Sequence, residues 1–125
     1  MKSLVATIMI LNAALFLFGA VQHVGLTVGP FHEPRIIPAA IVETICCLSL
    51  LGGAAFLFGH SVLGWRIAVI GNFIALAGVL LGIVALAVGA GPRTASNDLY
   101  HRIMLVLIGV SLVILFSARS APNRR

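Results

Sequence analysis

The side chains of this sequence that could do chemistry are few, and most lie near the ends of long apolar runs. His23, Glu43 and His101 are the three that could combine in one site. Two imidazoles and a carboxylate suit zinc, iron or copper, and histidine exchanges protons near neutral pH. Because no HxxxH or HxxH spacing is present, any site depends on whether the fold brings these three residues together.

Membrane helices are the elements that must position these residues. Hydrophobic residues make up 61% of the 125-residue chain and charged residues only 9%, and the mean hydropathy is +1.17. An average soluble domain carries about 25% charged residues, so this composition excludes a soluble globular fold. It also excludes a disordered chain, which needs low hydrophobicity.

Four apolar runs are long enough to cross a bilayer, which takes about 20 residues of helix. They cover residues 4–27, 38–58, 63–89 and 99–118. The sequence therefore predicts a single all-α domain, a transmembrane four-helix bundle with short loops. The first run exceeds the roughly 7 to 15 apolar residues of a signal core, which favours a retained helix over a cleaved signal peptide.

Local signals support these boundaries. Pro38 suits the first turn of the second helix, where its missing N–H has no intrahelical partner. Gly89, Gly91 and Pro92 predict the end of the third helix. The N-cap candidates of the fourth helix are Ser96, Asn97 and Asp98.

The basic residues predict how the bundle is oriented, because loops with more Lys and Arg stay in the cytoplasm. The side that holds both termini carries five of them: Lys2, Arg66, Arg119, Arg124 and Arg125. The opposite side carries three: Arg35, Arg93 and Arg102. This distribution predicts a plasma (inner) membrane protein with both termini in the cytoplasm. Nothing in the basic composition predicts nucleic-acid binding.

All three acidic residues fall on the predicted outer side, beside three of the histidines. Ionisable groups at this depth are costly and are usually paired or functional. Asp98 and Arg102 are spaced as a helical ion pair, and Asp98 could orient the His101 imidazole. The candidate cluster consists of His23, Arg35, Glu43, Asp98, His101 and Arg102.

Three interpretations of this cluster stay open. It is a structural polar cap if Glu43 pairs with Arg35, Arg102 or a histidine. It is a metal site if His23, Glu43 and His101 converge, and the same two histidines are the one plausible axial pair for a haem. It is a small-molecule, quinone or proton-handling pocket if Glu43 and His101 line a cavity. The cofactor is unknown.

The third helix carries a stripe of small residues that predicts close helix packing. This stripe would form a groove that could hold the first or the fourth helix, or a partner subunit. Asn72, beside the stripe, is expected to hydrogen-bond to a neighbour such as Asn12. The stripe consists of Gly71, Ala75, Gly78, Gly82, Ala85 and Gly89.

The remaining polar candidates have structural interpretations. Cys46 and Cys47 are adjacent in the second helix, where a disulfide between them would be strained, so we interpret them as packing residues. His60 is interpreted as an exposed residue of the link between the second and third helices.

No catalytic motif appears among the nucleophile elbow, phosphate-loop, dinucleotide-binding, zinc-protease or kinase patterns. The sequence therefore favours a small accessory or ligand-binding membrane protein without enzymatic activity, whose partners are the lipid bilayer and a second copy or a membrane complex. A redox, metal or proton-coupled site at His23, Glu43 and His101 is the alternative. An oligomeric transporter is third, since small multidrug-resistance transporters use a glutamate in the first helix and none stands there.

The overall plan and two segments resemble small uncharacterised four-helix membrane proteins of bacteria, broadly of the DoxX-like group. The segments are HEPRIIPAAIVE at 32–43 and GPRTASNDLYHR at 91–102. The resemblance extends over nearly the whole chain and implies the fold and a membrane location. It implies no particular activity.

Overall fold

Four α-helices form the part of the chain that the computed structural model describes, residues 2–30, 33–59 and 62–120, with the side chains of Arg119 and Ser120 left aside. They are α1 (Lys2–His23), α2 (Ile37–Leu57), α3 (Val62–Ala87) and α4 (Ala95–Ser120). Each is long and apolar enough to cross a membrane. The predicted all-α bundle of membrane-spanning helices is confirmed.

Four residues of the predictions above lie outside the described residues. They are His32, His60, Arg124 and Arg125.

The helices form a ring in which each contacts the next along the chain and α1 also contacts α4. Successive helices run antiparallel. The end of the bundle where α1 and α3 end and α2 and α4 begin is called the His23 end below, and the opposite end is called the Lys2 end. The candidate cluster falls at the His23 end.

Helix α1 ends four residues earlier than the predicted limit at residue 27, because Gly25 stops it. Gly25 has a φ of 98°, a left-handed conformation that favours glycine. Its amide donates to the Gln22 carbonyl oxygen at 2.8 Å, and the Leu26 amide donates to the Val21 carbonyl oxygen at 3.2 Å. This pair of bonds is the Schellman motif of helix C-termini.

Helix α3 ends in the same way, two residues before its predicted limit. Gly89 has a φ of 72° and donates to the Leu86 carbonyl oxygen at 3.3 Å, while Ala90 donates to the Ala85 carbonyl oxygen at 2.9 Å. A Cβ on Gly89 would meet nothing within 4 Å. Gly89 therefore terminates the helix as predicted, but its inclusion in the packing stripe was wrong.

Helix α4 begins four residues before its predicted start at residue 99, because Thr94 caps it. The Asn97 amide donates to the Thr94 hydroxyl at 3.1 Å, and the Asp98 amide donates to the Thr94 carbonyl oxygen at 3.1 Å. Thr94 is thus the N-cap in place of the three predicted candidates. At the start of α2, Pro38 lies in the first turn as predicted.

The rest of the α3 stripe does bring helices into close contact, although mainly with α2. A Cβ on Gly71 would lie 2.5 Å from the Ser49 carbonyl oxygen, and one on Gly78 would overlap the Cys46 sulfur. Between these glycines, Ala75 is fully buried. The groove therefore seats α2 along this stretch.

Nearer the His23 end the stripe meets α4 instead. A Cβ on Gly82 would overlap the His101 imidazole, and Ala85 lines the cavity beside it. Of the two helices predicted to fill the groove, α4 thus does so at one glycine. Helix α1 lies across the ring from α3, outside the pairs of helices in extensive contact.

Candidate functional site

A cavity of about 410 Å³ opens at the His23 end between α2, α3 and the start of α4. Its walls are mostly apolar, formed by residues such as Val42, Leu81 and Leu86. Its polar lining residues are His23, Glu43, Asn97 and His101. The fold therefore brings His23, Glu43 and His101 to one cavity.

Glu43 reaches this position because Gly19 of α1 leaves room for its carboxyl group. A Cβ at Gly19 would lie 2.5 Å from Glu43 Oε1 and 2.9 Å from the Tyr100 hydroxyl oxygen. The Tyr100 hydroxyl, which lies beside the same position on Gly19, donates to the Leu15 carbonyl oxygen at 3.3 Å. Helices α1, α2 and α4 therefore meet around one carboxyl group.

The second carboxyl oxygen of Glu43 is the unsatisfied group of the site. Glu43 is only 6% exposed, and its Oε2 has no hydrogen-bond partner among the described residues. A buried acceptor without a partner costs about 1 to 3 kcal/mol. Glu43 also lines the cavity, so a ligand hydroxyl could supply the missing hydrogen bond.

His23 lies beside Glu43, with Nε2 at 3.8 Å from Oε1. Its other nitrogen, Nδ1, lies 3.4 Å from the Pro34 carbonyl oxygen, and its backbone oxygen accepts from the Ile36 amide at 2.9 Å. The segment before α2 therefore holds the ring in place. Of the predicted pairings of Glu43, the one with a histidine is observed.

His101 is fixed by its own helix and by α3. Its Nδ1 lies 2.8 Å from the Asn97 carbonyl oxygen, so this nitrogen carries the proton and donates. Nε2 faces the α3 backbone at Gly82. The ring packs edge-on against Tyr100, with centroids 5.4 Å apart. His101 and Gly82 both line the cavity.

Three members of the predicted cluster, Arg35, Asp98 and Arg102, do not line this cavity. Arg35 and Arg102 are exposed, and the aliphatic part of Arg35 packs over Gly25. Asp98 accepts from Arg93, with its Oδ2 2.8 Å from Nη2 and 2.9 Å from Nε, which raises the pKa of Arg93. The predicted ion pair of Asp98 with Arg102 and its bond to His101 are therefore both replaced by the bond to Arg93.

A second cluster, which the sequence did not predict, closes the same end of the bundle. The buried Glu33 carboxylate accepts from the Thr94 hydroxyl at 2.9 Å for both oxygens, and from the Ser96 hydroxyl. These bonds tie the segment before α2 to the start of α4. A smaller cavity of about 210 Å³ lies between this cluster and Glu43.

The residues that sequence reasoning missed differ in how visible they were. Thr94 and Ser96 precede a helix and are residue types that cap helices, so a signal was present. Tyr100 adjoins His101 and carries a polar group that needs a partner when buried. Gly19 gave no such signal, and Asn97 signalled only a helix cap, because their roles at the site depend on how closely α1 and α4 approach their neighbouring helices.

This geometry gives little support to the interpretation of the cluster as a metal site. Among the described residues, no group of three His, Cys, Asp or Glu side chains is placed to hold a metal ion. The two cysteines are buried and free, and the Cys46 thiol lies 3.8 Å from the Ile74 carbonyl oxygen, as packing residues would.

No family model, curated protein or solved structure matches this chain. Its function is therefore inferred from the cavity and from the residues that line it.

Proposed function

We propose that this chain is a small ligand-binding protein of the bacterial inner membrane. The ligand is a membrane-soluble molecule with an apolar body and one hydroxyl head group, in the class of quinols, phenols and sterol-like alcohols. The observation that carries the proposal is Glu43 Oε2, a buried acceptor without a partner among the described residues, in a residue that lines a cavity of about 410 Å³.

The lining of the cavity supports this choice of ligand. Binding sites for small molecules are mostly apolar with a few placed polar groups, and here the polar groups gather at Glu43 while Val42, Leu81 and Leu86 form apolar walls. A hydroxyl group satisfies Oε2 by donating to it. A large charged ligand fits less well, because the walls would desolvate it without compensation.

A redox or proton-coupled role at the same residues is the second candidate. It is favoured by the contact of Glu43 with both His23 and Tyr100, since such neighbours can take up or release the proton of a bound quinol. In this version a separate electron-accepting membrane protein oxidises a bound quinol by two electrons, and of the two protons released one passes to Glu43 and the other to water.

The identity of the molecule that copurifies with the protein distinguishes the two candidate functions. We expect native mass spectrometry of the wild-type protein, extracted in mild detergent, to reveal one bound small molecule in place of mixed phospholipid. Glu43→Gln is expected to lower its occupancy at least tenfold, because an amide presents an N–H donor where the ligand hydroxyl must donate. An absorbance spectrum and a metal analysis of the same sample identify a quinone or a metal.

The matched control is Ile41→Ala on the same helix, because the Ile41 side chain is exposed on the outside of the bundle. It should leave the bound molecule unchanged. A wild-type protein that carries only bulk lipid, or a Glu43→Gln variant with undiminished occupancy, would contradict the binding function. Bound metal lost in Glu43→Gln would favour the metal site instead.

We further propose that the His23 end faces outward and that both termini face the cytoplasm, in line with the distribution of Lys and Arg. A reporter that is active only in the cytoplasm should therefore work when fused after Arg125. A periplasm-specific reporter at the same position should stay inactive. Labelling of the C-terminus from outside intact cells would contradict this orientation.

A further inference from the structure

A second group of buried polar residues lies deeper in the bundle and does not belong to the Glu43 cavity. Asn12 of α1, Asn72 of α3 and Ser111 of α4 are each 0% exposed. Four of their side-chain atoms have no hydrogen-bond partner among the described residues: Asn12 Nδ2 and Oδ1, Asn72 Oδ1 and Ser111 Oγ. In hydrocarbon, each such group costs several kcal/mol if it stays unsatisfied.

The contact between α3 and α4 sets Asn72 and Ser111 at one depth. Gly82 packs against His101. Asn72 lies ten residues from Gly82, and Ser111 lies ten residues from His101, both toward the Lys2 end. At a rise of about 1.5 Å per residue, each is displaced by about 15 Å, so the two residues stay level.

A second set of contacts brings Asn12 to the same depth. A Cβ on Gly53 of α2 would touch both Met9 Cε and the Ala68 Cα, so the end of the Met9 side chain and the Ala68 backbone meet at Gly53. Asn12 and Asn72 lie three and four residues further toward the His23 end. Three helices therefore each contribute a fully buried polar side chain to one layer, called the Asn layer below.

Apolar side chains seal the Asn layer on both sides. Phe16 and Ile108 lie about one turn away toward the His23 end, and Met9 and Leu115 lie about one turn away toward the Lys2 end. All four are buried, with exposures of 2% or less. The layer is therefore separate from the Glu43 cavity, and whatever satisfies it must be enclosed within the bundle.

The types of unpartnered atoms indicate which molecule or ion occupies the Asn layer. The unpartnered atoms include one N–H donor, two amide oxygens and one hydroxyl, with no carboxylate. A cation would satisfy the oxygens but would leave the Asn12 amide nitrogen unpaired and its own charge unbalanced. Water both donates and accepts, and buried waters typically make about three hydrogen bonds to groups of this kind.

We propose that Asn12, Asn72 and Ser111 form an internal water-binding site in the middle of the bundle. The hydroxyl of Ser111 differs from those of Thr44 and Ser49, which bond within their own helix to the carbonyl oxygens of Ala40 and Ile45, both at 2.7 Å. Ser111 is thus available to a water, as is Asn72 Oδ1, whose amide nitrogen donates to the Ala68 carbonyl oxygen at 2.9 Å.

The test measures transfer of magnetisation from water to ¹⁵N-labelled asparagine side chains, by solid-state NMR of the full chain in lipid bilayers. We expect the amides of Asn12 and Asn72 to receive magnetisation from water although both are buried. Replacement of Na⁺ and K⁺ by N-methylglucamine should leave these signals unchanged. The signals are assigned from single Asn→Leu variants or, if those fail to fold, from backbone connectivities.

Ser111→Ala provides a variant that keeps both labelled amides. It should reduce the transfer at Asn12 and Asn72 at least twofold, because the water loses one of its partners. Ser49→Ala, the same substitution at a hydroxyl bonded within α2, should have no effect. Absence of transfer in the wild type, transfer unchanged by Ser111→Ala, or signals that shift with the cation would each overturn the proposal.

Discussion

Gly71→Ala is expected to lower the free energy of unfolding by about 1 to 3 kcal/mol, the usual range for overpacking a tight interior. The added Cβ would lie 2.5 Å from the Ser49 carbonyl oxygen and 3.1 Å from the Ser49 carbonyl carbon. Both are backbone atoms of α2, so no side chain can turn away to relieve the contact. The two helices must separate, and the packing on both sides of Ala75 loosens with them.

Unfolding of the protein in mixed micelles by added dodecyl sulfate measures this loss, and the chain contains its own controls. Gly52 and Gly109 also lie inside helices, but a Cβ at either would meet nothing within 4 Å. Alanine is the better helix former by about 1 kcal/mol, so Gly52→Ala and Gly109→Ala should be neutral or slightly stabilising. A Gly71→Ala variant as stable as these two would mean that α2 and α3 do not pack as closely as described.

The membrane bundle is predictable from sequence because its causes are local and additive. Apolar runs of about 20 residues with so few charges have one favourable environment. The end of α1 and the start of α4 were predicted less accurately. Each depends on the hydrogen bonding at a single residue, which sequence patterns specify only loosely. Gly25 stopped α1 before its apolar run ended, and Thr94 started α4 inside the polar loop.

The level of each site residue along its helix was the feature of the site that the sequence could predict. His23, Glu43 and His101 were predicted to lie at similar levels, and they do line one cavity. Which face each residue presents depends on the rotation of the helices, which hydropathy does not encode when every face is apolar. Arg102 was therefore placed in the cluster at the right level but on the wrong face of α4, while Arg35 lies exposed in the segment before α2.

Pairings across the ring were the least predictable feature. Asn72 was expected to bond to Asn12 because the two residues share a depth. Helices α1 and α3 are diagonal in the ring, however, and Asn72 donates to its own helix at Ala68 instead. A shared level is thus necessary for a contact between helices but does not establish one.

The substitution of Glu43 by leucine separates a binding site from a structural cap, because the two interpretations predict opposite signs. If Glu43 is a cap, its loss removes bonds that hold α1, α2 and α4 together, and stability falls. In the binding interpretation, Oε2 has no partner among the described residues and the contact to His23 is long, at 3.8 Å. Tyr100 also keeps its bond to the Leu15 carbonyl oxygen at 3.3 Å, so little is lost.

We therefore expect Glu43→Leu to raise the free energy of unfolding by about 1 to 3 kcal/mol in ligand-free protein, the amount attributed to a buried polar group without a partner. Delipidated wild type and variant are compared in the same dodecyl sulfate titration, after mass spectrometry has verified that no ligand remains. The variant should also fail to take up the molecule that the wild type carries. Greater stability together with lost binding is typical of a site that keeps a costly group for function, whereas destabilisation of the ligand-free variant would identify Glu43 as a structural cap.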